Sequence, residues 1–220
     1  MRAYWRDMAR HGMTSISLYN PDQPVIGDDG KPNLDGHRDI ENLKDMMEDG
    51  LIHPDIPIML LEGFPTFEKH NAAALAALRN ELKRRNWPEF LIYGPDEPLV
   101  NDQVRQRFES RQPWRKNFRL VTALSDRAVE AYGDKLDVWV MHAGHISPEF
   151  QKLAAEKGAE LWAYSCMHSG RSNFPASRFY AGIYTWALKL KGNFLWNYAG
   201  GFNWEGQRYT WTDVVSPSDG

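Results

Sequence analysis

The sequence predicts a parallel (β/α) TIM-type barrel. Three observations predict it: a recurring rhythm of helix, stop and strand, strand segments that are apolar almost throughout, and helix-start signals at matching intervals. Four times a helical pattern ends in a charged residue and Gly and is followed by an apolar run. These are His11-Gly12 before 14–19, Asp49-Gly50 ahead of 57–62, Lys157-Gly158 before 160–165, and Lys191-Gly192 before 193–198. Glycine suits the left-handed position that closes a helix, and a basic residue in the last turn suits its negative end. Segments 90–93, 118–123 and 137–142 read as three further strands. Their unbroken apolar character fits strands covered on both faces of a parallel sheet.

The helix starts agree. Ser147-Pro148-Glu149 gives a capping side chain, a proline at the first helical position and an acid in the first turn. Asn101-Asp102 and Ser125-Asp126 are shorter versions, and the alanine- and leucine-rich stretch 70–85 is a helix by propensity and spacing alone. Seven helix–strand units result, with helices near 2–11, 38–49, 67–85, 100–111, 126–132, 147–157 and 177–190. Strict alternation implies a parallel sheet wound in one direction. A closed eightfold barrel begins with a strand and ends with a helix. Here an uncapped helix comes first and the polar SPSDG (216–220) last, so the expectation is one domain over 1–220, a truncated barrel without its first strand and last helix. Strand 14–19 is then the second of the full architecture, and 90–93 the fourth. Two open strand edges would need cover, from the strand-like tail 207–215 or from a second copy of the chain in a homodimer.

Composition narrows the function classes. A formal net charge of −3 gives no basic footprint, so no nucleic-acid partner is expected. No apolar run approaches the roughly 20 residues that span a bilayer, so no membrane partner is expected either. The first residues lack the apolar core of a signal peptide. Cys166 is the sole cysteine, which excludes an internal disulfide and a cysteine-built metal site. Nine Trp, nine Tyr and ten Phe supply either sugar-stacking faces or barrel core.

The most informative segment is FLIYGPDEP (90–98), where a buried strand meets a Gly-Pro break and then presents Asp96 and Glu97 between prolines. In α/β barrels the C-terminal strand ends build the active site, and flanking prolines limit the freedom of the acids. Taken alone, Asp-Glu-Pro also suits a plain helix entry. Adjacent acids cannot straddle a glycosidic bond as a spaced nucleophile and acid do, but they suit substrate-assisted cleavage. Glu97 then protonates the leaving group, and Asp96 steadies a 2-acetamido group that attacks its own anomeric carbon. Other strand ends offer Tyr19 and Asn20, Glu62, His142 with His145, Tyr164 with Cys166, and Trp196, Asn197 and Tyr198. Trp204-Glu205 follows in a loop. Of these, Tyr19, Asn20, Glu62, His142, Tyr164, Trp196, Tyr198 and Trp204 are the candidate substrate contacts. Two histidines three apart across a glycine-containing loop are a poor metal signal, so neither metal nor cofactor is expected.

With these residues in hand, the chain resembles glycoside hydrolase family 123 and its related barrels. The resemblance rests on YWRDMARHGMTSISLYN (4–20), FLIYGPDEP (90–98), ELWAYSCMHSGRSNFPASRF (160–179) and GNFLWNYAGGFNW (192–204). It implies retaining β-N-acetylgalactosaminidase-type hydrolysis of an oligosaccharide or glycoconjugate through an oxazoline, in a secreted or periplasmic parent. By matching position it makes Asp96 the stabiliser, Glu97 the acid/base, and Tyr164 and Trp196 pocket residues. Family members usually carry an N-terminal β-sandwich and a complete barrel, which this chain does not show. Two other readings compete. One is a two-carboxylate glycosidase using Glu97 with Glu62 or Glu205, and the other a catalytically silent carbohydrate-binding remnant.

Overall fold

Helix closure explains most of the architecture. In the computed structural model, which describes residues 2–18, 25–35, 38–60, 72–165, 179–195, 201–202 and 208–209, Gly12, Gly50 and Gly158 all take positive φ, at 81°, 77° and 68°. Each closes its helix with the paired bonds of a Schellman motif. At the first, Gly12 N–H donates to Ala9 O and Met13 N–H to Met8 O, at 3.0 and 3.1 Å. Two non-glycine residues do the same work: Asn86 (φ 54°) and Lys189 (φ 54°). Lys189 corrects the expected stop at Lys191-Gly192. The chain turns there through Leu190 N–H to Thr185 O, and Gly192 is already a strand residue.

The order is α1 (Arg2–Arg10), β1 (Ser17–Leu18), α2 (Arg38–Glu48), β2 (Ile58–Leu60), α3 (Ala72–Arg84), β3 (Phe90–Tyr93), α4 (Asp102–Arg111) and β4 (Leu120–Leu124). It continues through α5 (Asp126–Tyr132), β5 (Val138–His142), α6 (Pro148–Glu156), β6 (Glu160–Ser165), a π-helical turn (Phe179–Tyr184) running into α7 (Thr185–Ala187), and β7 (Gly192–Leu195). The seven strands stand in the sheet in sequence order, with parallel registers such as Ile58↔Phe90 and Trp162↔Gly192. Seven parallel strands alternating with helices are the arrangement of an incomplete (β/α) barrel, as the sequence predicts. The three expected caps hold: Asn101, Ser125 and Ser147 accept from the backbone of Val104, Ala128 and Phe150.

The chain divides into two compact units, Met1–Trp139 and Val140–Gly220. In the first, every residue of β2, β3 and β4 is buried, as strands covered on both faces must be. Its largest fully buried side chains include Tyr132, Phe90, Phe108, Phe118 and Trp139. In the second, Trp162 and Phe194 stack at 5.4 Å between neighbouring strands β6 and β7. Part of the tail proposed as edge cover is strand, but Arg208–Tyr209 pairs antiparallel with Gly201–Phe202 in a separate two-stranded ribbon. Among the described residues, no helix is long and apolar enough to cross a membrane.

Candidate active site

Strand β3 ends in a turn whose shape is set by its neighbours on β4 and α4. A Cβ on Gly94 would lie 2.5 Å from Thr122 Oγ1 and 3.1 Å from Phe108 Cε1. Only glycine therefore lets the turn pass, and its N–H donates to Val121 O at 2.7 Å. Thr122, fully buried, donates its hydroxyl to Pro95 O at 3.2 Å. Pro95 and Pro98 are buried, whereas Asp96 and Glu97 between them are exposed. The backbone at Glu97 has φ 39°, a left-handed conformation that costs a non-glycine residue about 1–3 kcal/mol. Buried flanks on both sides hold the chain in it.

Asp96 is held by a partner that sequence reasoning missed. The Tyr93 hydroxyl donates to Asp96 Oδ1 at 2.6 Å and accepts the Ala123 N–H at 3.1 Å. An O–H donor to a carboxylate at this length is a strong, charge-assisted bond. Tyr93 is only 8% exposed, so a buried phenol fixes one carboxylate oxygen. Asp96 Oδ2 has no partner among the described residues. The signal lay in the sequence as a tyrosine at the last strand position, three residues before an acid.

A second group of polar rings sits in the other unit, at the ends of β5 and β6. His142 meets His145 edge-on at 5.6 Å and Tyr164 at 5.8 Å. The Gly144 N–H donates to His142 Nδ1 at 3.3 Å, so the neutral ring carries its proton on Nε2. Nearby, Tyr184 donates to the Ala143 carbonyl, and its phenol is shifted above its ordinary value, first by burial and then by neighbouring Tyr180. Among the described residues no three His, Cys, Asp or Glu side chains converge as a metal site. Tyr19, Asn20, Glu62, Cys166, Trp196, Asn197, Tyr198, Trp204 and Glu205 lie outside the described residues. Of the expected site residues, then, Asp96 and Glu97 stand together in one unit, and His142 and Tyr164 in the other.

The fold is of (β/α)-barrel class, and comparison with known proteins adds little beyond it. No family model and no curated protein matches the chain. Among solved structures it is similar to a "putative lyase/mutase" from Burkholderia cenocepacia, at 16% identity and a TM-score of 0.44, over 88% of this chain and 72% of that one. So slight a likeness carries nothing of that protein's chemistry across. The resemblance to glycoside hydrolase family 123 is corrected accordingly: no family model matches the chain. The hexosaminidase, the two-carboxylate glycosidase using Glu97 with Glu62 or Glu205, and the carbohydrate-binding remnant are withdrawn with it. The physical reason lies in the stretch that seemed most specific. Gly94 answers to Thr122, Pro95 and Pro98 are packed, and Asp96 answers to Tyr93. Gly94, Pro95 and Pro98 of FLIYGPDEP thus answer packing demands at a strand end, so the stretch is no signature of acetamide chemistry.

Proposed function

We propose that the chain is an enzyme of the (β/α)-barrel class in which Asp96 moves a proton to or from a polar substrate bound at the C-terminal end of β3. The observation that supports this is the Tyr93–Asp96 bond of 2.6 Å. A buried phenol holds one carboxylate oxygen of an exposed side chain, at the strand end where barrels of this class place their chemistry. Glu97, on the adjoining left-handed residue, is a second carboxylate at the same strand end. Tyr93 is a positioning residue, since it acts through Asp96.

The test is turnover of a panel of polar metabolites followed by mass spectrometry, comparing the native chain with Asp96→Asn and Tyr93→Phe. General acid–base catalysis typically contributes about 10²–10⁴-fold, so Asp96→Asn should lose about that much in kcat. Tyr93→Phe should lose less and should alter the pH profile of what remains. A compound consumed equally fast by the Asp96→Asn protein would end the reading.

A further inference from the structure

At the opposite end of the same strands lies a cavity that the carboxylate site does not use. It has a volume of about 360 Å³ and is lined from α3, from the residues leading into β3 and β4, and from the 3-10 turn Gln112–Lys116 that follows α4. Its floor is apolar: Leu82, Phe118 and the ring of Trp87 face it. That volume falls within the range of small-molecule sites, which are typically about 300–1,000 Å³.

The charge around this floor is one-sided. Five of the lining residues are cationic and one, Glu89, is acidic. Two of the cations are already committed. Arg119 is paired with Glu89 at 2.9 Å, and Arg115 with Asp137 at 2.7 Å. The remaining three, Arg79, Lys83 and Lys116, have no acid partner among the described residues and are exposed. Arg79 and Lys83 stand four apart on α3, so they share one helix face. Lys44 and Arg85 lie against the Trp87 ring, 6.0 and 5.2 Å from its centre, but Arg85 is already paired with Glu81 at 2.6 Å and Asp35 at 2.8 Å.

Like charges gathered around a concave wall repel one another unless an anion sits among them, and the concavity focuses their field. The chain as a whole carries a net charge of −3, so overall composition does not account for the cluster. A ligand that fits has an apolar body for the floor and a dianionic oxygen headgroup for the three exposed cations of the lining. Arginine and lysine together suit phosphate better than a single carboxylate. We propose that this cavity binds a small organic phosphate ester, at a site separate from the strand-end carboxylates. An extended polyanion fits less well, because the surface beside the cavity carries Glu81 on α3 itself and Asp35 ahead of α2.

Isothermal titration with phenyl phosphate, inorganic phosphate, phenol and a single-stranded oligonucleotide tests this on the full chain. Phenyl phosphate should bind at one site per chain, inorganic phosphate more weakly, and phenol not measurably. Raising sodium chloride from about 50 to about 300 mM should weaken the phosphate arms, since exposed charges are screened. The double reversal Lys83→Glu with Lys116→Glu should weaken phenyl phosphate by about tenfold or more, whereas Lys83→Arg with Lys116→Arg should retain it. Both residues are exposed, and an unchanged circular dichroism spectrum and Tm confirm folding of each double variant. Asp96→Asn should leave binding unchanged, which separates this site from the proposed catalytic one. The proposal is overturned by no saturable binding of phenyl phosphate, by equal affinity after charge reversal, or by stoichiometric oligonucleotide binding in place of the small ester.

Discussion

A methyl group at position 94 has nowhere to go. Its nearest neighbour would be Thr122 Oγ1, and that hydroxyl cannot swing aside without leaving the Pro95 carbonyl unpaired in a buried site. Gly94→Ala should therefore destabilise the chain by about 1–3 kcal/mol, as overpacking does. Part of that loss should return in a Thr122→Ala background, and urea denaturation of the four proteins measures both. Were Gly94→Ala neutral in urea, the packing account of this turn would fail. The same logic applies to Gly192, where an added Cβ would meet Trp162 at 2.5 Å, and to Gly133, which would meet Trp139 at 2.6 Å. The sequence shows these glycines but not the group across from each, which for Gly94 and Gly192 comes from a strand on the far side of an intervening helix. That is why Gly192 reads as a helix stop in the sequence and proves to be a point of close approach. The acids at 96 and 97 were legible as a strand-end pair; the tyrosine three residues earlier stands in the sequence too, but its hold on Asp96 depends on how the turn between them folds.

Among elements, the helices were the most legible and the ion pairs that bind them the least. Closing glycines and capping side chains act within a few residues, so Gly12, Gly50, Gly158, Asn101, Ser125 and Ser147 can be recognised from local sequence. Asp49 cannot. At the end of α2 an acid faces the negative end of the helix. It is tolerated because Arg2 grips both its oxygens at 2.9 Å and Arg6 adds a third bond at 2.9 Å, joining α1 to α2. Its side chain is 3% exposed. Hydrogen bonds from Arg2, chiefly, hold the Asp49 carboxyl down at about 2, and those from Arg84 and Arg85 do the same for Glu81, also about 2. A lowered value means that the unfolded chain takes up protons before the folded one. The stabilisation is complete above the ordinary carboxylate range and drains away as pH falls towards about 2. Asp49→Asn should lower the urea midpoint at pH 7 and flatten its fall between about pH 4.5 and about pH 2.5. An identical acid dependence in Asp49→Asn would show that this cluster does not couple stability to pH.

For the whole molecule, the strand order was legible because alternation of helix and strand leaves few topologies open. Seven parallel strands in sequence order follow from it. Function was not legible at this scale, since a barrel-type fold hosts many chemistries and only the site decides among them. The expectation that a second copy covers an open strand edge is a statement about mass. Light scattering should give twice 25.4 kDa if the pair forms, and a single-chain mass at micromolar concentration would end that expectation.

The Tyr93 hydroxyl has one further consequence. It takes a proton-sharing bond from the amide of Ala123 and gives one to Asp96, so the three groups form a short polarisable line from one strand to its neighbour's tip. Whatever binds to or protonates Asp96 alters the pull on that hydroxyl, and hence the shielding of a buried amide across the sheet. The nitrogen–proton resonance of Ala123 is in this way a built-in gauge of occupancy at Asp96, readable before any substrate has been named.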